Sequence, residues 1–487
     1  MIELVKMKIP AGVVAAATLI LYALFLVVPT KLVAGICAVF YILFLWRQLS
    51  SLPQALIVSY AAFVPLSLGK FFPVSLVPAT GIQLLDRPTG VSSDIAVTLR
   101  EGIVFGMAAL LLWDRFYKKL RYGFDRVAVG LFLLPLIYIG SSALVSVRPE
   151  ISVLHALFWA EPFVLYIFVR RIGQRVPYAL VLMSVAIALF CESVIVFAQN
   201  IKGMTLGVVI EDFPGYVPVD VSADAGLLAR FGGTFAYANI LAHYLVFSLF
   251  LLIPAVFSPR LLVRKIAAAA LIIGVWAFIV TLSRSAWLSF WIGLLGFYLL
   301  IRHEKRIALY RDVRVMGIMA IPVTVLLCII LAWPRTVSTA RTLTKWGSGE
   351  MRITTMQSAV PVIAAHPWFG VGLSMDVLAL YERSLRLHIP LPSFTPEPVQ
   401  NGFVRLLMEV GVVGMIPYLA ALYFLGCMLW RRYRSAAGEQ RLYLAGLMAA
   451  CVAVAANAEL QPLLPDVSFI VLLSALLTPV PRAGHSA

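Results

Sequence analysis

The amino-acid sequence predicts an all-α polytopic membrane protein of about 12–14 transmembrane helices with one large extracytoplasmic loop, and three observations lead there. The first is composition: 62% of the 487 residues are hydrophobic and the mean hydropathy is +0.95, well beyond what the cores of soluble domains require. The second is the recurrence of apolar runs of about 16–23 residues, each long enough to cross a hydrocarbon layer roughly 30 Å thick. The third is the placement of charge. The formal net charge of +16 is not gathered into one basic face of the kind that meets nucleic acid; it recurs in short clusters, at 115–126, 170–175, 260–265, 302–314 and 431–441, between every second pair of apolar runs.

Taken in order, the first apolar run follows Lys6 and Lys8 and passes through "LVVPTKLVAG" directly into another run, with no small-residue cleavage site, so it reads as a retained first helix rather than a signal peptide. The positive-inside rule makes the five basic clusters cytoplasmic, and counting spans outwards puts both termini in the cytoplasm, in agreement with Lys6, Lys8 and Arg482. The chain then divides into N-terminal transmembrane helices (1–199), a core segment carrying Arg230 and Arg284 (200–333), a large loop (334–400) and C-terminal transmembrane helices (401–487). The five cysteines, Cys37, Cys191, Cys328, Cys427 and Cys451, all fall in apolar runs without metal-ligand spacing, which argues against disulfides and structural zinc.

The loops of the opposite side differ in length and chemistry. Residues 70–93 form a Pro-containing loop with Asp86 and Arg87, and residues 200–235 carry Glu211, Asp212, Asp220 and Asp224 before "LARFGGTFAYANILAHYL". Residues 334–400 are too long for a mere connector and too rich in aromatic and apolar residues for a disordered one. Within them "MRITTMQSAVPVIAAHPWFGVGL" has the apolar spacing of a short amphipathic helix ending before Pro367. No internal repeat supports a transporter built of two related halves.

Two arginines stand out on that side. In "FIVTLSRSAWLSFW" Arg284 lies in a tight turn between two spans, at the start of a helix. Ser-Arg-Ser there supplies capping hydroxyls, free backbone N–H groups and a cation, the ingredients of an anion site for a lipid phosphate or pyrophosphate. Arg230 precedes Gly232 and Gly233, which permit close backbone approach to a ligand, and then a helix opening near Ala236. The bland alternative for each is an interfacial arginine that snorkels to the headgroups. Asn239 and His243, four residues apart, share one helical face, either as interhelical hydrogen-bonding groups or as part of a site. With six histidines, no HxxxH pair and no DxD of the nucleotide-sugar type, neither a metal nor any other cofactor is expected.

Four blocks in fixed order, "RFGGTFAYANILAHYL" (230–245), "TLSRSAWLSF" (281–290), "MRITTMQSAVPVIAAHPWFGVGL" (351–373) and "QNGFVRLLMEVGVVGMI" (400–416), resemble the bacterial O-antigen ligase and O-antigen polymerase superfamily over roughly residues 225–430. The resemblance implies a lipid-sugar-using (GT-C-like) membrane glycosyltransferase of the bacterial inner membrane. Such an enzyme works on the periplasmic side and transfers a glycan from undecaprenyl pyrophosphate to an acceptor sugar or lipid A core, alongside other polysaccharide assembly proteins. By the same resemblance Arg230 and Arg284 hold the pyrophosphate and stabilise its departing charge, and Arg352, which opens the third block, assists. Ligases of the family carry a His before the Asn of the fourth block, whereas this chain reads Gln400-Asn401; a Gln cannot serve as a general base but can position the acceptor hydroxyl by hydrogen bonding, and the resemblance puts Gln400 and Asn401 in the catalytic set with Arg230 and Arg284. That departure favours a polymerase over a lipid A core ligase. Asn239, His366 and Glu409 complete the expected substrate-binding set, with Asp376, Glu382, His388 and Glu397 as other loop residues and Glu409 alternatively a structural partner for an arginine.

Two other classes compete. A transporter of lipid-linked glycan or another anion would need ionisable residues along a midplane route, and the spans offer only Glu161, Glu192, Asn239, His243 and Glu409. A non-catalytic scaffold would tolerate loss of all three arginines.

Overall fold

A computed structural model describes residues 11–66, 69–72, 95–119, 125–172, 178–208, 211, 230–235, 237–302, 348–386, 399, 401–458 and 465–477, the side chains of 69–72, 95–96, 172, 348–354, 381, 384–386, 458, 465–469 and 477 excepted. Several sequence expectations lie outside this set: both termini, Asp86 and Arg87, Asp212, Asp220 and Asp224, Cys328, His388, Glu397 and Gln400, together with the Arg352 side chain.

The chain is an all-α polytopic membrane protein. Among the described residues, nine helices are long and apolar enough to cross a membrane by length and composition. In order the helices are α1 (Ala11–Val27), α2 (Lys31–Leu49), α3 (Leu52–Phe63), α4 (Leu99–Phe116), α5 (Arg126–Val145), α6 (Pro149–Phe158), α7 (Glu161–Ile172) and α8 (Tyr178–Lys202). They are followed by α9 (Ala238–Leu252), α10 (Leu261–Val280), α11 (Arg284–Ile301), α12 (Ser348–Ala365), α13 (Asp376–Arg386), α14 (Gly402–Ser435), α15 (Gly438–Ala458) and α16 (Pro465–Leu477). One addition to the helical expectation is a two-stranded antiparallel ribbon, β1 (Gly69–Phe72) with β2 (Ile95–Thr98), which brackets the predicted 70–93 loop. Lys70-Phe71-Phe72 and Ile95-Ala96-Val97-Thr98 are short and rich in aromatic and β-branched residues, a pattern too brief to separate from a loop by periodicity alone.

Burial separates helices that are wrapped by protein from those that face lipid. The share of the apolar window buried inside the protein is 83% in α8 and 78% in the segment containing α9, against 22% in α2 and 33% in α10 and α11. Helices α8 and α9 are therefore the centre of the bundle, and a polar group on either has a protein partner or none. Around them α10 packs on α8, α11 on α15, α5 on α14 and α1 on α8. Interhelical hydrogen bonds add to this packing: Thr18 and Tyr41 join α1 to α2 at 2.8 Å, and Tyr22 donates to Ala62 O at 2.9 Å. An aromatic stack of Tyr138, Trp159 and Tyr418, edge-to-face at 4.9 and 5.8 Å, ties α5 and the α6–α7 junction to α14.

Helix α14 is broken. At about 1.5 Å per residue its 34 residues would run roughly 50 Å, longer than a hydrocarbon core. Gly411, at φ 61° and ψ −168°, divides it. That conformation is open to glycine and costly for any residue with a Cβ, which is why the break falls there.

Candidate active site

The first polar cluster is built on α8. Glu192 and Gln199 are seven residues apart, two helical turns, and so project from one face of the most deeply wrapped helix. Both are fully buried. Gln199 accepts from the Gly233 N–H at 3.0 Å and donates to Gly233 O at 2.9 Å and to Glu211 at 2.7 Å. Glu192 accepts from the Thr234 N–H at 3.2 Å, and Thr234 Oγ1 lies 2.6 Å from the carboxylate and 3.0 Å from Pro65 O. Glu211 accepts in turn from the N–H groups of Leu206, Gly207 and Val208 at 3.0, 2.7 and 3.2 Å. The loop before α9 is thus not a free connector; its Gly232-Gly233-Thr234 turn is fastened to α8 by side chains that read backbone. Gly233 has φ 62°, and a Cβ there would come within 2.8 Å of Glu192 Oε2, so turn geometry and close approach both demand glycine.

Arg230, at the start of that fastened segment, is buried. Its Nε donates to Thr281 O at 2.8 Å and its Nη2 to Asn239 Oδ1. Thr281 closes α10, and Leu282, at φ 51°, occupies the left-handed region that non-glycine residues adopt only under constraint. The reversal of Thr281-Leu282-Ser283 delivers the chain straight into α11, whose first residue is Arg284. The structure therefore brings Arg230, Asn239 and the Arg284 turn together.

The Ser-Arg-Ser motif differs from expectation in one respect. Ser283 is the N-cap of α11 but makes no capping bond; its hydroxyl instead lies 3.3 Å from that of Ser285. The first N–H groups of α11 are left to another acceptor, at the positive end of the helix dipole. The Arg284 side chain is exposed, and among the described residues it has no hydrogen-bond or ion-pair partner. His243, predicted on the Asn239 face, is buried and pairs with Asn457 of α15 at 2.7 Å, which is the interhelical role.

The second cluster joins the third and fourth blocks. The segment after α12 runs along the break in α14: Val371 and Gly372 donate to Met408 O and Glu409 O at 3.0 and 2.8 Å, and Val412 and Val413 donate to Pro367 O and Trp368 O at 2.9 and 3.0 Å. The carbonyls and N–H groups released by the Gly411 break are thereby satisfied, as backbone at membrane depth requires. Ser152 Oγ donates to Leu373 O at 2.9 Å and anchors the same segment to α6. Arg405 lies between two carboxylates, with Nε 3.2 Å from Asp376 Oδ2 and 2.9 Å from Glu409 Oε1, and both acids are almost wholly buried. Asp376 also accepts from the Val399 N–H at 3.3 Å, beside the 400–401 dipeptide.

The remaining candidates separate by environment. Glu409 is the partner of Arg405, the structural alternative of the sequence reading. Asn401 is the N-cap of α14, its Oδ1 accepting from Phe403 and Val404 N–H at 3.0 Å each, so any contact with an acceptor falls to its amide NH2. Arg352 lies on α12. His366 is exposed just after α12, on the rim of a cavity of about 300 Å³ between α12, α13 and the α5–α6 turn, with Glu382 and Arg383 as its other charged neighbours.

Sequence reasoning missed Gln199, Arg405 and the positioning of the glycine turn by Glu192. A signal existed for the first and last, the seven-residue spacing of two polar residues on an otherwise apolar helix. Arg405 and Glu409 stand four residues apart on α14, a local signal that went unread, whereas Asp376 comes from a segment whose contact with them no local pattern reports. Among the described residues no group of three or more His, Cys, Asp or Glu is placed to hold a metal ion.

No curated protein matches the chain. Residues 268–419, from within α10 to within α14, match the family described as O-antigen ligase. That stretch contains Arg284, Arg352, His366, Asn401, Arg405 and Glu409 but not Arg230, and over it the chain is similar to the O-antigen ligase family.

Proposed function

We propose that this protein transfers a glycan from an undecaprenyl pyrophosphate carrier to an acceptor sugar on the periplasmic side of a bacterial inner membrane, as a polymerase of carrier-linked repeat units. The observation that carries the reading is Arg284: an exposed guanidinium at the uncapped N-terminus of an 18-residue helix, inside the family-matched segment. Cation and free N–H groups together suit a pyrophosphate. Arg230, hydrogen-bonded to the turn that carries Arg284, supplies a second guanidinium at the same turn. Charge that develops on the leaving pyrophosphate is then met by groups already in place, and such preorganisation lowers the barrier without solvent reorganisation. Bond formation is between the acceptor hydroxyl oxygen and the anomeric carbon; the bond broken is that from the anomeric carbon to the pyrophosphate oxygen. The hydroxyl proton leaves to a base outside the set named above.

Gln400, in place of the His carried by ligases, supports polymerisation over transfer to lipid A core. Incubating the purified protein with an undecaprenyl pyrophosphate-linked repeat unit, with and without lipid A core, and resolving products by mass tests the reading. A ladder of carrier-linked oligomers without added acceptor is expected, and it persists in a chelator because the proposed chemistry uses no metal. Product only with lipid A core would make the protein a ligase, and no linkage under either condition would overturn glycan transfer.

A further inference from the structure

We propose that Glu192 and Gln199 are positioning residues for glycan transfer: by gripping the Gly232-Gly233-Thr234 turn from α8, they hold Arg230 against the α10–α11 turn. The inference rests on the function proposed above and adds to it two residues that lie outside the family-matched segment. Three features carry it. Gln199 makes a two-way bond with the Gly233 backbone, a geometry that fixes both position and orientation of the peptide. Glu192 reads the next peptide and the Thr234 hydroxyl, so the grip covers two successive residues. Glu211 then holds the Gln199 amide from behind while capping three N–H groups of its own loop, which selects the orientation of Gln199 needed for the two-way bond.

The consequence follows from chain length. Only Phe231 and Gly232 separate Arg230 from the gripped Gly233, and Phe231 is itself fully buried. A displacement of the turn therefore moves the Arg230 backbone, and with it a guanidinium whose bonds to Thr281 O and Asn239 Oδ1 depend on its place. Because the negative charge on the pyrophosphate grows as the bond to the anomeric carbon breaks, loosening the grip lowers kcat more than it changes KM for the donor.

The experiment compares Gln199→Leu, Glu192→Leu and Glu192→Gln in the full-length protein, using an undecaprenyl pyrophosphate-linked repeat unit and, in parallel, amide hydrogen exchange across 231–237. Both Leu variants are expected to lose roughly 10- to 100-fold in kcat with donor KM within about threefold, and to lose exchange protection at Gly233 and Thr234. Glu192→Gln, whose amide oxygen still accepts from the Thr234 N–H, is expected to stay within about threefold of wild type. Unchanged kcat and exchange in both Leu variants would overturn the proposal. So would a loss explained wholly by a smaller folded fraction at unaltered kcat, or a Glu192→Gln as impaired as Glu192→Leu. A wild-type protein that links no glycan removes the functional reading and the positioning role together, whereas an active wild type with fast exchange at Gly233 and Thr234 removes the grip alone.

Discussion

Arg405 and Arg284 both sit within the first turn of a transmembrane helix, yet they are opposites. Arg405 is 15% exposed and held between Asp376 and Glu409, so its charge is consumed by the architecture of the broken helix. Arg284 is exposed at a helix start whose serine does not cap it, and among the described residues it has no partner. Arg230 stands between them, buried, with the oxygens of Thr281 and Asn239 among its hydrogen-bond partners. The difference teaches that a membrane protein's cations sort by the charge supplied around them. One already neutralised supports structure, and one presented with open N–H groups is available to an anionic ligand.

The largest effect that would break this comparison is on stability. Arg405→Ala leaves two buried carboxylates facing each other without a cation, and a loss of about 3–5 kcal/mol is expected, read as a lowered thermal midpoint of the detergent-solubilised protein. A midpoint equal to wild type would show that the acids find another partner and that the pair is not structural. Arg284→Ala should behave in the opposite way, with an unchanged midpoint and a transfer rate reduced on the order of 10²–10³-fold. Wild-type transfer by that variant would end the pyrophosphate role.

Smaller effects sharpen the contrast within the second cluster. Gly411→Ala places a Cβ 2.6 Å from Phe369 N in a backbone conformation closed to alanine. A cost of at least about 1–3 kcal/mol is expected, with the 366–373 segment losing exchange protection first. Asn401→Ala removes a helix cap and should cost about 1 kcal/mol on that account, with transfer falling no more than stability explains. A far greater loss of transfer would return Asn401 to the chemistry through its amide NH2.

Much of the architecture was legible in the sequence, because a membrane imposes on each span a length and an apolarity that one residue string displays directly. The reversal between Val280 and Arg284 and the helix ending before Pro367 follow from local signals: an arginine between apolar runs and a proline. The β1–β2 ribbon escaped because four-residue strands carry too little period to read.

What the sequence determined by itself is therefore the solvent of each segment and the identity of the cations, both properties of short windows. What only the tertiary structure decided is which cation is neutralised. Asp376 lies 29 residues before Arg405, and Gln199 lies 34 before the glycine it grips. Such meetings depend on how helices pack around α8 and α9 and on the break at Gly411, and packing is a property of surfaces assembled from many segments at once.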